Sequence, residues 1–252
     1  MIFKSKLKQP INFIVCGTQK GGTTALDYYL RSHQEICMAL KKEVHFFDND
    51  NYFKHEKVDY EFYHEFFRPQ KNHKIVGECT PIYMFWKDSM KRIYDYNSNI
   101  KLIIILRNPI ERAFSHWNME VQRKREHRTF WDAINVEMNN LEKKLNKSRT
   151  FSYIERGFYF SQIMKILKYF GRNQLLCLKS ESLRSQPNLV LEEIASFLKI
   201  SKFKKIDKIN VHSRKYKFSL KVHERNFLRR LFEVDICQLE NLIGWDLSAW
   251  KT

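Results

Sequence analysis

Four short apolar runs constrain this chain more than any other feature: INFIVCG (11–17), KIVGEC (74–79), KLIIILR (101–107) and QLLCLKS (174–180). Continuous runs of this length, rich in Ile, Leu and Val, read as strands buried on both faces, which is the habit of parallel sheets. Amphipathic helical stretches lie between them. TTALDYYLRSH leaves the first run, and in PIERAFSHWNMEVQRK the ring of Pro109 suits a first helical turn with Asn108 as its cap. GFYFSQIMKILKYFG ends at Gly171, a C-cap residue, and PNLVLEEIASFLKI opens on a second first-turn proline. Strands alternating with helices predict an α/β fold with a central, mainly parallel sheet flanked by helices. No repeat, low-complexity tract or Gly/Pro/Ser linker divides the 252 residues, so one domain over 1–252 is expected.

The turn after the first run makes that fold P-loop-like. GTQKGGTTAL (17–26) nearly matches the phosphate-binding pattern G-x-x-x-x-G-K-[ST], with Gly17 and Gly22 at the right spacing and Thr24 in the hydroxyl position. Thr23 stands where the lysine belongs, and Lys20 has moved inside the loop. A strand, a Gly-rich turn and a helix start still gather backbone N–H groups around an anion. Gly21 and Gly22 allow close approach, and Thr23 and Thr24 add hydroxyls.

Two further constellations carry chemistry. In LRNPIERAFSHW, Arg107 ends the most apolar strand and Ser115 follows on the next helix. Ligands of doubly wound sheets bind beyond the carboxyl ends of strands, where an arginine fork and a hydroxyl can grip a phosphate. In KKEVHFFDN, Glu43 and His45 are two apart, so an extended segment would put a carboxylate and an imidazole on one face, a possible general base.

The formal charge of +17, from 45 basic and 28 acidic residues, favours anionic partners without choosing among them. A P-loop kinase or nucleotide hydrolase would need a lysine after Gly22 and an acidic strand end for magnesium, a part Glu78 could play. A polyanion- or nucleic-acid-binding protein would need basic and aromatic residues interleaved on one face, whereas here the aromatics fall mostly at helical core spacing. The five cysteines are scattered without a C-x-x-C pair, so neither a metal site nor a disulfide framework is expected. MIFKSKLKQP is too weakly apolar for a signal peptide and no run reaches transmembrane length, which predicts a cytoplasmic protein.

Taken together, GTQKGGTTAL, KEVHFFD, GECTPIY and LIIILRNPIERAFSHW, in that order, resemble the sulfotransferases that use 3′-phosphoadenosine 5′-phosphosulfate (PAPS). The likeness is to the heparan sulfate, 3-O-sulfotransferase-like branch and its soluble bacterial relatives, over about residues 11–200. The resemblance implies that Lys20, Gly21, Gly22, Thr23 and Thr24 hold the 5′-phosphosulfate, with Lys20 near the bridging oxygen of the leaving phosphate. That role explains a lysine before the paired glycines. It also implies that Arg107 and Ser115 hold the 3′-phosphate, that Glu43 is the base with His45 beside it, and that a late basic loop, matched loosely by Ser213, Arg214 and Lys215, covers the nucleotide. Tyr159 matches a recurring helix start that fits packing as well as substrate contact. The implied acceptor is a hydroxyl of a glycan or glycolipid, with no metal and no nucleic acid. Walls of the acceptor pocket are expected from 48–72, rich in Tyr and Phe, and from 118–155. The chain departs from the glycan enzymes at Cys79, where they carry a lysine, and it is expected to lack their C-terminal disulfide pair and membrane anchor.

Overall fold

The computed structural model describes residues 10–143, 145, 148–205 and 216–252. The first apolar run forms β1 (Phe13–Gly17), which a tight loop joins to α1 (Thr23–Arg31). Then come β2 (Ile36–Met38), α2 (Tyr60–His64), β3 (Ile75–Cys79), α3 (Ser89–Tyr96) and β4 (Lys101–Leu106). The chain continues through α4 (Pro109–Gln122), α5 (Phe130–Glu142), α6 (Tyr159–Leu167) and β5 (Leu175–Lys179). It ends with α7 (Ser180–Ser185), α8 (Pro187–Leu198) and α9 (Val222–Ile243).

The five strands pair in the order β2-β3-β1-β4-β5, and every pairing is parallel. The expected α/β fold with helices flanking a parallel sheet is therefore the observed one. β1 lies between β3 and β4, so the loop beyond its carboxyl end occupies the rim where such sheets bind ligands.

By internal contacts the chain forms two compact units. The first holds the described residues up to Leu106 and those from Lys165 to 205; the second holds Arg107–Met164 and those from 216 to Thr252. In the first, Phe13, Val15, Ile103 and Ile105 on one sheet face cluster with Leu26 and Leu30 of α1 and Leu191 and Ile194 of α8. Ile14, Leu102 and Ile104 on the opposite face are equally inaccessible, which is why the runs are apolar without alternation. Gly77 interrupts its strand because a Cβ there would lie 2.4 Å from the Phe13 ring. In the second unit the Asn108 side chain accepts from the Ile110 N–H at 3.0 Å, the cap its position before Pro109 predicted. Asp235 of α9 accepts the Phe160 N–H at 3.2 Å at the start of α6.

Three local expectations change. α6 stops at Leu167, and Gly171 opens a 3₁₀ turn with φ −64°, so it is not a left-handed C-cap. β2 and the 22-residue α9 had no counterpart in the strand and helix assignments. Among the described residues, no helix is long and apolar enough to cross a membrane.

Candidate active site

The loop after β1 is built by its glycines. Thr18 donates its backbone N–H to the Ile105 carbonyl at 3.1 Å, and Gly21 donates to the Thr18 carbonyl at 2.9 Å. This presses the turn against β4 so closely that a Cβ on Gly21 would sit 2.4 Å from the Ile105 oxygen. Gly22 caps α1 at φ 113°, a conformation that suits only glycine, and offers no side-chain hydrogen bond to the first turn. The N–H groups at the head of α1 are thus left to an anion or water. Lys20, half-buried at the tip of the turn, is itself left-handed at φ 69°. Thr24 is exposed, whereas Thr23 is buried and its carbonyl accepts from the Cys79 thiol at 3.6 Å.

Cys79 also ties this loop to the second constellation, because its own carbonyl accepts the Glu43 N–H at 2.9 Å. From there four charged side chains form a row. The Lys42 ammonium lies 2.6 Å from Glu43 Oε1, Glu43 Oε2 lies 3.6 Å from His45 Nε2, and His45 Nδ1 lies 3.0 Å from Asp48 Oδ2. The middle contact is an ion-pair distance, longer than a hydrogen bond. Glu43 and His45 do face each other, but not through an extended segment: both are left-handed, at φ 61° and 59°. Non-glycine residues held this way cost about 1–2 kcal/mol each and need surroundings that enforce them.

Lys42 and Asp48 are the members of this row that sequence reasoning missed; Asp48, fully buried, closes the quoted KEVHFFD. It is the main reason His45 is pushed up to about 9, with the Glu43 carboxylate second. The imidazolium in turn, followed by the Lys42 ammonium, holds Glu43 down at about 2. At neutral pH Lys42 is an ammonium, Glu43 a carboxylate and His45 an imidazolium. His45 binds its proton more tightly in the folded chain. The stability it adds is full below about 6.5 and lost as pH rises through about 9. With side chains 41% and 43% exposed, solvent screens the His45–Glu43 pair, so the effect on stability is small. In an NMR titration the His45 ring is expected to show a midpoint near 9, and Asp48→Asn is expected to pull it back toward 6.5. A midpoint at or below 6.5 in the unmodified chain would overturn the pairing.

The acidic strand end that a kinase would need is already engaged. Glu78 is fully buried, and its carboxylate accepts from Tyr63 at 2.6 Å, Thr80 at 2.6 Å and Tyr83 at 3.2 Å. Burial pushes it up to about 7 against the pull of those hydroxyls. Among the aromatics of 48–72, Tyr63 and Phe67 are buried, with Tyr63 packed against Phe46, Phe47 and Phe67; Phe53, Tyr60 and Phe66 are half-buried, and Tyr52 and Phe62 are exposed. The 118–155 stretch is largely α5 and the end of α4.

In the second unit Arg107 lies just before Asn108, the cap of α4, and its guanidinium, 17% exposed, lies 4.0 Å from Glu111. Glu111 is held more closely by Arg225, at 2.6 Å. The Ser115 hydroxyl is buried and accepts from Tyr216 at 2.8 Å, a partner the sequence did not suggest. Tyr159 is fully buried; its hydroxyl donates to the Arg107 carbonyl at 2.8 Å, so it packs and supports Arg107. Ser213, Arg214 and Lys215 lie outside the described residues.

Residues 10–224 match the sulfotransferase domain family. This chain belongs to that family. Over 111 residues it is 39% identical to the membrane-associated sulfotransferase kil1 of Dictyostelium discoideum, covering 44% of this chain and 23% of that protein. Over 194 residues it is 31% identical to heparan sulfate glucosamine 3-O-sulfotransferase 5 of Homo sapiens, covering 74% of this chain and 53% of the relative. The chain thus spans about half or less of these relatives' length. A crystal structure of a sulfotransferase from Alicyclobacillus acidocaldarius superposes with a TM-score of 0.83 at 29% identity, covering 98% of this chain and 100% of the other. The family and fold that the four motifs implied are therefore those of this sulfotransferase chain.

Proposed function

We propose that the chain moves a sulfuryl group from PAPS to an acceptor hydroxyl by in-line displacement. The observation that carries this reading is the lysine-bearing phosphate loop joined through Cys79 to an ionised carboxylate, Glu43. Glu43 takes the acceptor proton as the acceptor oxygen bonds to sulfur. The bond from sulfur to the bridging oxygen breaks, and its electron pair stays on the 5′-phosphate. Lys20 and the N–H groups of residues 22–24 meet that growing charge. His45, already protonated between Asp48 and Glu43, is the wrong form for a base; it orients Glu43 instead.

Arg107 and Ser115 are assigned to the 3′-phosphate, with Tyr216 giving up its bond to Ser115 when the donor arrives. The loop at Ser213, Arg214 and Lys215 is assigned to the nucleotide by resemblance. We take the two units as one sulfotransferase domain, a reading supported by the family match across both. The acceptor class is a glycan or glycolipid, supported by relatives named for heparan sulfate glucosamine and by the excess of positive charge.

Calorimetric titration tests the donor. Adenosine 3′,5′-bisphosphate is expected to bind well above 5′-AMP, and Arg107→Ala is expected to remove most of that difference. A charge-assisted hydrogen bond is worth about 1.5–3 kcal/mol, roughly ten- to a hundredfold in affinity. An Arg107→Ala chain that keeps the full preference rules out the 3′-phosphate role. Better binding of ATP with magnesium would favour the kinase reading, and binding of none would leave the basic surface as a polyanion site.

A further inference from the structure

Glu78 is a buried ionisable group that the proposed chemistry does not use, and its hydrogen-bond partners are hydroxyls. Burying a carboxylate is costly unless several donors satisfy it. Here three hydroxyls do, and two of them continue onward. Thr80 donates to Glu78 Oε2 at 2.6 Å while its oxygen accepts the Val44 N–H at 3.0 Å. Tyr83 donates to Glu78 at 3.2 Å while its oxygen accepts the Phe46 N–H at 3.0 Å. Val44 and Phe46 flank His45, and Val44 follows Glu43. The two backbone amides held by the relay therefore interleave with the two left-handed residues of the charged row.

A hydroxyl has one proton. If it must accept from an amide on one side, that proton has to point to an acceptor on the other. Only an acceptor-only group at position 78 lets Tyr63, Thr80 and Tyr83 all donate inward at once. We propose that Glu78 is a positioning residue: through Thr80 and Tyr83 it fixes the backbone of residues 43–47 and so aims Glu43 and His45. The proposal rests on the reading of that pair as the acid–base machinery, but its structural half does not. Glutamine would fill the same space with the wrong polarity, because its NH₂ would confront a hydroxyl already committed to donating.

The test uses the full chain with Glu78→Gln and, as a milder variant that removes one hydroxyl, Tyr83→Phe. Amide hydrogen exchange at residues 43–47 is expected to speed up by about tenfold, the scale of one lost hydrogen bond, while β1 and β4 keep their protection. The His45 NMR midpoint is expected to move from its value near 9 toward 6.5 as its alignment with Glu43 loosens. Affinity for adenosine 3′,5′-bisphosphate is expected to stay unchanged. With PAPS and heparan sulfate as probe substrates, kcat is expected to fall by up to about 100-fold with KM for PAPS unchanged. Thr80→Ser should retain activity that Thr80→Val loses, and Glu78→Gln combined with Thr80→Val should cost little more than either alone. Unchanged exchange at 43–47 in both variants, or strictly additive losses, would overturn the proposal. If the unmodified chain binds no bisphosphate, the functional reading fails while the exchange result still decides the role of Glu78.

Discussion

Glu43→Gln is expected to lower turnover about 10²–10⁴-fold, the usual worth of a positioned general base, and to leave the affinity for adenosine 3′,5′-bisphosphate unchanged. Glutamine keeps the length of the side chain and one acceptor oxygen, which can meet the Lys42 ammonium or the His45 imidazolium but not both. It cannot take a proton. In the unliganded chain Glu43 sits at about 2, a weak base, because His45 and Lys42 both lean on it. Acceptor binding excludes water, and desolvation raises a carboxylate toward the operating pH. The two effects make Glu43 reliably ionised before reaction and more basic during it. Turnover of PAPS and calorimetry on the same variant check this directly. Near-normal turnover would show that the proton leaves by another route, and a collapse in donor affinity would show that the charged row also shapes the nucleotide site.

What the sequence disclosed follows from what each element needs. Four of the five strands were legible because both faces are buried, which forces unbroken apolar runs. β2 was not, since Ile36–Met38 is too short for any periodicity to register. α9 stayed hidden because its many charged residues mask a sparse buried stripe of Leu228, Phe232, Ile236 and Leu239. At the site, residue types that carry charge were readable and the backbone was not. Glu43 and His45 were found for the wrong geometric reason: they are adjacent through two left-handed turns, which no spacing rule predicts. Asp48 and Lys42 stand within KKEVHFFDN, yet their roles depend on how the backbone folds the segment back. Glu78 was considered only as a magnesium ligand, because the hydroxyls that surround it come from residues 63, 80 and 83 and converge only in the folded chain.

Lys20 offers the sharpest separation of chemistry from stability. Removing a preorganised donor to a developing charge typically costs about 2.7–4 kcal/mol, or 10²–10³ in turnover. Lys20→Ala is expected to lose that much in kcat, with a smaller change in KM for PAPS, because the charge on the leaving phosphate grows only as the sulfur–oxygen bond breaks. Lys20→Gly should lose the same turnover while gaining stability. The left-handed backbone at φ 69° penalises a side chain by about 1–2 kcal/mol; glycine, with no Cβ, escapes that strain, and the larger entropy it loses on folding offsets part of the gain. A chain that melts at the same or a higher temperature yet transfers sulfate a hundredfold more slowly would mean that strain at Lys20 is retained for the reaction. If KM for PAPS rose and kcat held, Lys20 would only bind the ground state, and the N–H groups at the head of α1 would have to carry the leaving-group charge alone.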